Sequence, residues 1–194
     1  MRRLAEELDV VPMALYKHVS NKEELLDGMI DLVYSEIEFA SPGTHWKTGM
    51  RQRARSMREA LLRHRWAIGL MDFRTTPGPA NLSHHNAVLE RLRAAGFSIR
   101  MAFHAYSAIN SYIYGSLVLQ QRMALEAPEE FAQVVEAGLP PQVESEYPYL
   151  AEVLSDVAKR GFDAGKEFEF GLTLILDAIQ RFGIKRRPPA AVPN

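Results

Sequence analysis

The sequence predicts an all-α protein, and three observations carry that expectation. Apolar residues recur at three- and four-residue intervals along most of the 194-residue chain, the spacing of one helix face. No segment sustains the apolar–polar alternation of a half-buried strand. The breaks between periodic stretches, Ser41-Pro42-Gly43, Pro77-Gly78-Pro79 and Gly138-Leu139-Pro140-Pro141, are of the kind that end one helix and start another.

Taken in order, residues 2–8 place Leu4, Ala5 and Leu8 along one edge of a short helix. Asp9 and Val10 interrupt the pattern. Pro12 then stands where a first helical residue belongs, a position with no use for the N–H that proline lacks. In the helix over 12–19, Leu15 and Val19 point inward, and Met13, Ala14, Lys17 and His18 take the remaining surface. Two short helices joined by so tight a turn form a helix-turn-helix, whose second helix can lie in a DNA major groove. Ser20-Asn21-Lys22-Glu23 reads as a capping box, the Ser20 hydroxyl accepting from the Glu23 N–H while Glu23 reaches back. It opens a third helix over 21–39, with Leu25, Leu26, Met29, Ile30 and Val33 as its stripe.

The Ser41-Pro42-Gly43 break divides a helix-turn-helix domain, residues 1–40, from a helical body over 46–183. Trp46 to Leu62 carries Met50, Ala54, Met57 and Leu61 on one side. Its arginines, with those just beyond it (51, 53, 55, 58, 63, 65), lie on several sides and read as a solvated face rather than a nucleic-acid stripe. After an apolar turn, Ala67 to Met71, the residues Leu82, His85, Leu89 and Leu92 mark a helix closed by Gly96.

Ser98 caps the longest helix, which runs to about Leu125. It is apolar nearly all round and therefore expected to be buried on most sides. Ser107, Asn110, Ser111, Tyr112 and Tyr114 nevertheless set polar groups along its middle. Buried polar groups need partners, whether side chains, water or a ligand, so this stripe points to a pocket. An acidic segment (Glu126, Glu129, Glu130, Glu136) precedes a helix over 149–160. Phe168, Leu172, Ile175, Ile179 and Phe182 then repeat at four-three spacing. That seam suits close packing, either within the chain or against a second copy. The basic, proline-rich residues 184–194 read as a flexible tail.

Composition narrows the function. No cysteine is present, which removes disulfides, thiolate metal sites and thiol redox sensing. No apolar run approaches 18 residues and no signal peptide precedes the first helix, so a cytoplasmic protein without a membrane partner is expected. The net charge of −1 requires any DNA contact to come from a local patch. No catalytic constellation assembles: His84 and His85 are adjacent, so on a helix they diverge by about 100° and do not chelate as an i, i+4 pair. Neither a phosphate-cradling glycine loop nor a Gly-x-Ser-x-Gly elbow occurs. No enzyme activity, cofactor or metal is expected.

The run from Leu4 to Met29, and above all Leu15 to Leu26 (LYKHVSNKEELL), resembles the DNA-binding segment of tetracycline-repressor (TetR) family transcriptional regulators. Phe168 to Ile179 (FEFGLTLILDAI) resembles the last helix of the tetracycline-repressor-type C-terminal domain. The resemblance implies that Arg2 reaches a guanine edge, and that Pro12, Met13, Ala14 and Lys17 form the exposed face of the recognition helix. It places Tyr16, His18 and Lys22 on the sugar-phosphate backbone, with packing on the third helix as the other reading of Tyr16 and helix capping that of His18. It also implies a homodimer on a palindromic operator, pairing through the last helices. A small organic effector in the helical body is the second implied partner.

Three departures from the family pattern stand out. Asp9 occupies a turn position usually held by glycine, and Val11 one usually held by Ser, Thr or Glu. The chain also begins inside the motif, so the helix that normally precedes Arg2 is missing, as a truncation would leave it. In the body, His64 falls at a position resembling a ligand-contacting histidine of the family. A magnesium-binding histidine is replaced by Ser111, and amide and aromatic drug contacts by Ala87 and Arg91, so tetracycline–magnesium binding does not carry over. His64, Tyr106, Asn110 and Tyr114 are the expected effector contacts. The alternative is an all-helical dimeric sensor or interaction module that does not bind DNA.

Overall fold

The computed structural model describes residues 1–71, 77–123, 133 and 143–183, and among them every regular element is a helix. The expected acidic segment near 126–136, the Gly138–Pro141 break and the tail lie outside the described residues. The helices are α1 (Arg2–Glu7), α2 (Pro12–Leu15), α3 (Lys22–Ser35), α4 (Trp46–Arg63), α5 (Pro79–Ala94), α6 (Ile99–Met123), α7 (Val143–Glu146), α8 (Pro148–Arg160) and α9 (Ala164–Gly183). A 3-10 turn, Arg65–Ala67, follows α4.

α1 ends in a Schellman motif. The Val10 N–H reaches the Ala5 carbonyl at 2.9 Å and the Asp9 N–H reaches Glu6 at 3.1 Å, with Asp9 in the left-handed region at φ 51°. Gly96 ends α5 in the same way: Phe97 N–H bonds Leu92 at 3.2 Å, Gly96 N–H bonds Arg93 at 3.0 Å, and φ is 92°. The second helix is shorter than expected, one turn from Pro12 to Leu15 followed by tight turns through His18.

The cap of α3 lies one residue later than the sequence suggests. Asn21, not Ser20, is the N-cap, its Oδ1 accepting from the Glu24 N–H at 2.8 Å. Glu24, not Glu23, reaches back to the Ser20 N–H at 2.7 Å. Asn is as good a cap as Ser, so two overlapping boxes are available and the chain uses the later one. α3 also stops at Ser35 rather than 39, although Ile37 and Ala40 remain buried beyond it.

α3, α4, α5, α6 and α9 enclose the core, with α6 packed chiefly on α9 and α3 on α5. Two registers differ from expectation. α5 turns Asn81, His84, Val88 and Leu92 inward and leaves Leu82 exposed, one position away from the expected stripe. α6 is not buried on most sides: Ala102, Ala105, Ile109, Ile113 and Leu117 face the core, while Phe103 and Leu119 are about 60% exposed. α9 buries Phe168, Leu172, Leu176 and Ile179 and exposes Phe170, Leu174 and Phe182. α8 buries only Val157 fully, leaving Tyr149, Leu150 and Val153 on the surface.

One contact ties α3 to α5. Asp31 accepts from the Asn81 and Ala80 N–H groups at 2.8 and 3.2 Å, so a carboxylate on α3 caps the start of α5. Gly78 is required there, because a Cβ would lie 2.4 Å from the Asp31 carboxyl carbon.

Candidate DNA interface and buried polar cluster

The residues expected to read DNA are almost all on the surface. Arg2, Pro12, Met13, Tyr16, Lys17, His18 and Lys22 are exposed and Ala14 is half-buried, while Leu4, Leu15 and Val19 are partly covered beneath them. Met13 is 70% exposed, alongside the exposed Val10, Val11 and Tyr16. Among the described residues, Arg2, Lys17 and Lys22 take part in no ion pair or side-chain hydrogen bond. Val11 offers α2 no side-chain cap; Pro12 has no N–H to satisfy, and the Ala14 N–H bonds the Val11 carbonyl at 2.9 Å.

The arginines of α4 behave otherwise, and the solvated-face reading needs correction. Arg51 and Arg55 both grip Glu169 of α9, at 2.9 and 2.5 Å. Arg58 bonds Gln120 at 3.0 Å and lies over the Phe168 ring at 5.3 Å. Arg63 bonds Glu36 at 2.7 Å. Arg53 is fully buried. Its Nε and Nη2 contact His84 Nε2 at 3.1 and 2.8 Å, and Nη2 reaches the Met57 sulfur at 3.4 Å.

Around that pair the structure assembles an aromatic cluster from three helices, α3, α5 and α6, and from Phe39 beyond the end of α3. Tyr34 of α3 lies 5.2 Å from the His84 ring and 5.4 Å from His85. Phe39 lies 4.9 Å from His84. Tyr106 of α6 hydrogen-bonds His85 Nδ1 at 2.7 Å, and the Tyr114 and Tyr34 hydroxyls are 3.4 Å apart. Burial first, then the Arg53 charge, then His85, push the His84 imidazole down to about 2, so it is neutral. Burial and the Arg53 charge lower His85 as well.

Of the four expected effector contacts, three share a face. Tyr106, Asn110 and Tyr114 are spaced by four on α6, and both tyrosines act electrostatically on Arg53. Asn110 is buried, and its Oδ1 has no hydrogen-bond partner among the described residues. His64 stands apart from them: it ends α4 with Nε2 2.7 Å from Glu36, which closes α3. Ala87 and Arg91 also lie elsewhere, lining an open cleft of about 850 Å³ with Phe39 and Trp46, where Arg91 bonds the Ala40 carbonyl at 2.7 Å.

Sequence reasoning misses Arg53, Tyr34, Asp31 and the pairing role of His84. Helical spacing holds a signal for Arg53, which is three residues from Met50 and four from Met57. Among the described residues no three His, Asp or Glu side chains are grouped to hold a metal ion, and no helix is long and apolar enough to cross a membrane.

Comparison with known proteins agrees with this architecture. The family model described as "Tetracyclin repressor-like, C-terminal domain" matches residues 39–182. The class A tetracycline repressor protein from transposon 1721 of Escherichia coli is 31% identical over 183 residues, 93% of this chain and 80% of that protein. An HTH-type transcriptional regulator of Saccharopolyspora erythraea is 34% identical over 118 residues, 60% of this chain, and the match spans half of that relative's length. The crystal structure of the Streptomyces coelicolor TetR family protein ActR in complex with actinorhodin superposes with a TM-score of 0.74 at 26% identity, covering 93% of this chain and 86% of that one. The chain therefore belongs to the tetracycline-repressor family of helix-turn-helix transcriptional regulators.

Proposed function

We propose that this protein is a dimeric repressor that a small organic effector releases from a palindromic operator. Residues 1–40 are the DNA-binding domain and 46–183 the effector-binding and dimerisation domain. The observation that carries the reading is the exposed, unpaired set Arg2, Lys17 and Lys22 beside the uncapped recognition turn. Arg2 reads a guanine edge and Met13 and Ala14 meet thymine methyls. Lys17 contacts a base or phosphate, and Tyr16, His18 and Lys22 fix register on the backbone.

One such head touches little DNA, and two copies about 34 Å apart, or a multiple of that, supply a specific site. The exposed Phe170, Leu174 and Phe182 of α9, with Tyr149 and Val153 of α8, offer the apolar surface that a second copy covers. Tyr106, Asn110 and Tyr114 face the effector. Its binding is felt at the head through Tyr34 against Tyr114, through Asp31 at the start of α5, and through Arg63 and His64 on Glu36. An effector that fits one head spacing better shifts the population toward it, and by linkage DNA weakens the effector equally.

The test is a gel shift of the protein on the DNA upstream of its own gene. A sequence-specific band whose affinity falls steeply with salt supports the repressor. No specific band at salt from about 50 to 200 mM leaves the DNA-independent sensor as the better reading.

A further inference from the structure

The repressor reading leaves the chemistry of the effector open, and the buried Arg53 narrows it. A guanidinium taken out of water is stable only with its charge matched and its donors satisfied. Here the donors meet a neutral imidazole and a thioether. Burial pushes the guanidinium below its ordinary value, and the side chains that favour its charge are the Tyr114, Tyr106 and Tyr34 phenols rather than a carboxylate. Nη1 has no partner.

His84 repeats the pattern. Its Nε2 accepts from the guanidinium, so the neutral ring carries its proton on Nδ1, and that N–H is also buried without an acceptor among the described residues. Two adjacent side chains thus present unanswered donors in a positive field. On the neighbouring face of α6, Asn110 keeps a free amide oxygen between Tyr106 and Tyr114. Tyr34, Phe39, His85 and Tyr106 supply aromatic surface around the pair.

We propose that the effector is an aromatic organic acid, whose anionic oxygens take the open donors of Arg53 and His84 while its rings pack among the surrounding aromatics. The inference rests on the effector-responsive reading above. A neutral effector leaves the guanidinium unmatched, whereas an acid supplies the missing counter-charge. The same act links to the head, because the Tyr34 ring on α3 is packed against His84.

The test uses matched probes near neutral pH: benzoate, 2-naphthoate and 9-anthroate, each beside its neutral amide, titrated into the intact protein and into Arg53→Met. At least one carboxylate should bind the unaltered protein about tenfold or more tightly than its amide. In Arg53→Met that preference should shrink to about threefold or less. Amides that bind as well as the acids, no binding by any carboxylate, or a preference that survives Arg53→Met would each overturn the proposal. The comparison within the unaltered protein does not depend on the variant folding. Operator gel shifts run in parallel separate the two failures: a lost band sinks the repressor, and an intact band with equal acid and amide binding sinks only the acidic effector.

Discussion

The cations of the first three helices and those of α4 are the same residue types in opposite circumstances. Arg2, Lys17 and Lys22 stand exposed with no partner among the described residues, whereas Arg51, Arg53, Arg55, Arg58 and Arg63 are each engaged by another helix. An unpaired exposed cation keeps its attraction for phosphate. One already committed to Glu169 or Glu36 has little left to offer and serves as a strut. In a near-neutral chain the cations left uncommitted are thus a handful near its start, while those of its most arginine-rich helix are taken up by the fold.

The buried end of this contrast should give the largest effect. Among the described residues, His84→Leu leaves the Arg53 guanidinium with only the Met57 sulfur as a hydrogen-bond acceptor. We expect a loss of about 2–4 kcal/mol, read as a lower urea midpoint at unchanged slope. A loss below about 0.5 kcal/mol would mean that Arg53 is not dependent on the imidazole.

Acid probes the same pair without mutation. His84 has a folded value of about 2 against an ordinary 6.5, so between those values the unfolded chain holds the extra proton. Stability is complete above 6.5 and declines as pH falls. Between about pH 7.5 and 5.5 this one group removes about 1.4 kcal/mol, and the lowered His85 adds in the same direction. The lowered carboxylates of Glu36, Glu169 and Asp177 act only further into acid, below their ordinary range. Urea melts at the two pH values that coincide would contradict a buried neutral His84.

At the exposed end the effect should fall on binding and spare folding. Arg2→Ala is expected to weaken operator binding by about 1–3 kcal/mol, roughly fivefold to 150-fold, as the removal of a base-edge reader does. Lys17→Ala and Lys22→Ala should each lower the salt slope by about one for every phosphate no longer neutralised. Their melts should stay within about 0.5 kcal/mol of the parent. A parallel drop in stability would mean that these side chains support the fold. Glu169→Gln sharpens the contrast from the other side. Releasing Arg51 and Arg55 should destabilise by about 0.5–1 kcal/mol and leave specific operator affinity unchanged.

Helix positions are legible in the sequence because proline, glycine and 3.6-residue periodicity mark them without tertiary information. The exposed side of residues 12–19 is legible too, since Leu15 and Val19 fix which side turns inward. What escapes is polar burial. The inward register of α5 runs through Asn81 and His84, which hydropathy assigns to the surface, so periodicity alone places the stripe one residue off. Arg53 stands in register with Met50 and Met57, yet an arginine among so many others reads as solvated. α6 misleads in the opposite sense: Phe103 and Leu119 are apolar but face outward, and hydropathy does not distinguish a chain's own core from surface reserved for another molecule. The polar groups along the middle of α6, Asn110 and Tyr114 among them, are visible because they interrupt an otherwise apolar helix, which is a local property. Their link to Arg53 spans helices far apart in sequence and needs the fold.

The smallest expected effect concerns the turn that aims the reading face. Asp9 and Gly96 hold equivalent places in two Schellman motifs, both with positive φ. An L-residue there is strained by about 1–2 kcal/mol, less for aspartate than for most. Glycine relieves the strain but adds freedom to the unfolded chain, which offsets part of the gain. Asp9→Gly should therefore stabilise by about 0.5 kcal/mol, read as a higher urea midpoint. Operator affinity should stay the same, because the Val10 and Asp9 N–H groups keep their bonds to Ala5 and Glu6. A destabilised variant would show that the aspartate side chain holds the turn by a contact that its backbone geometry does not require.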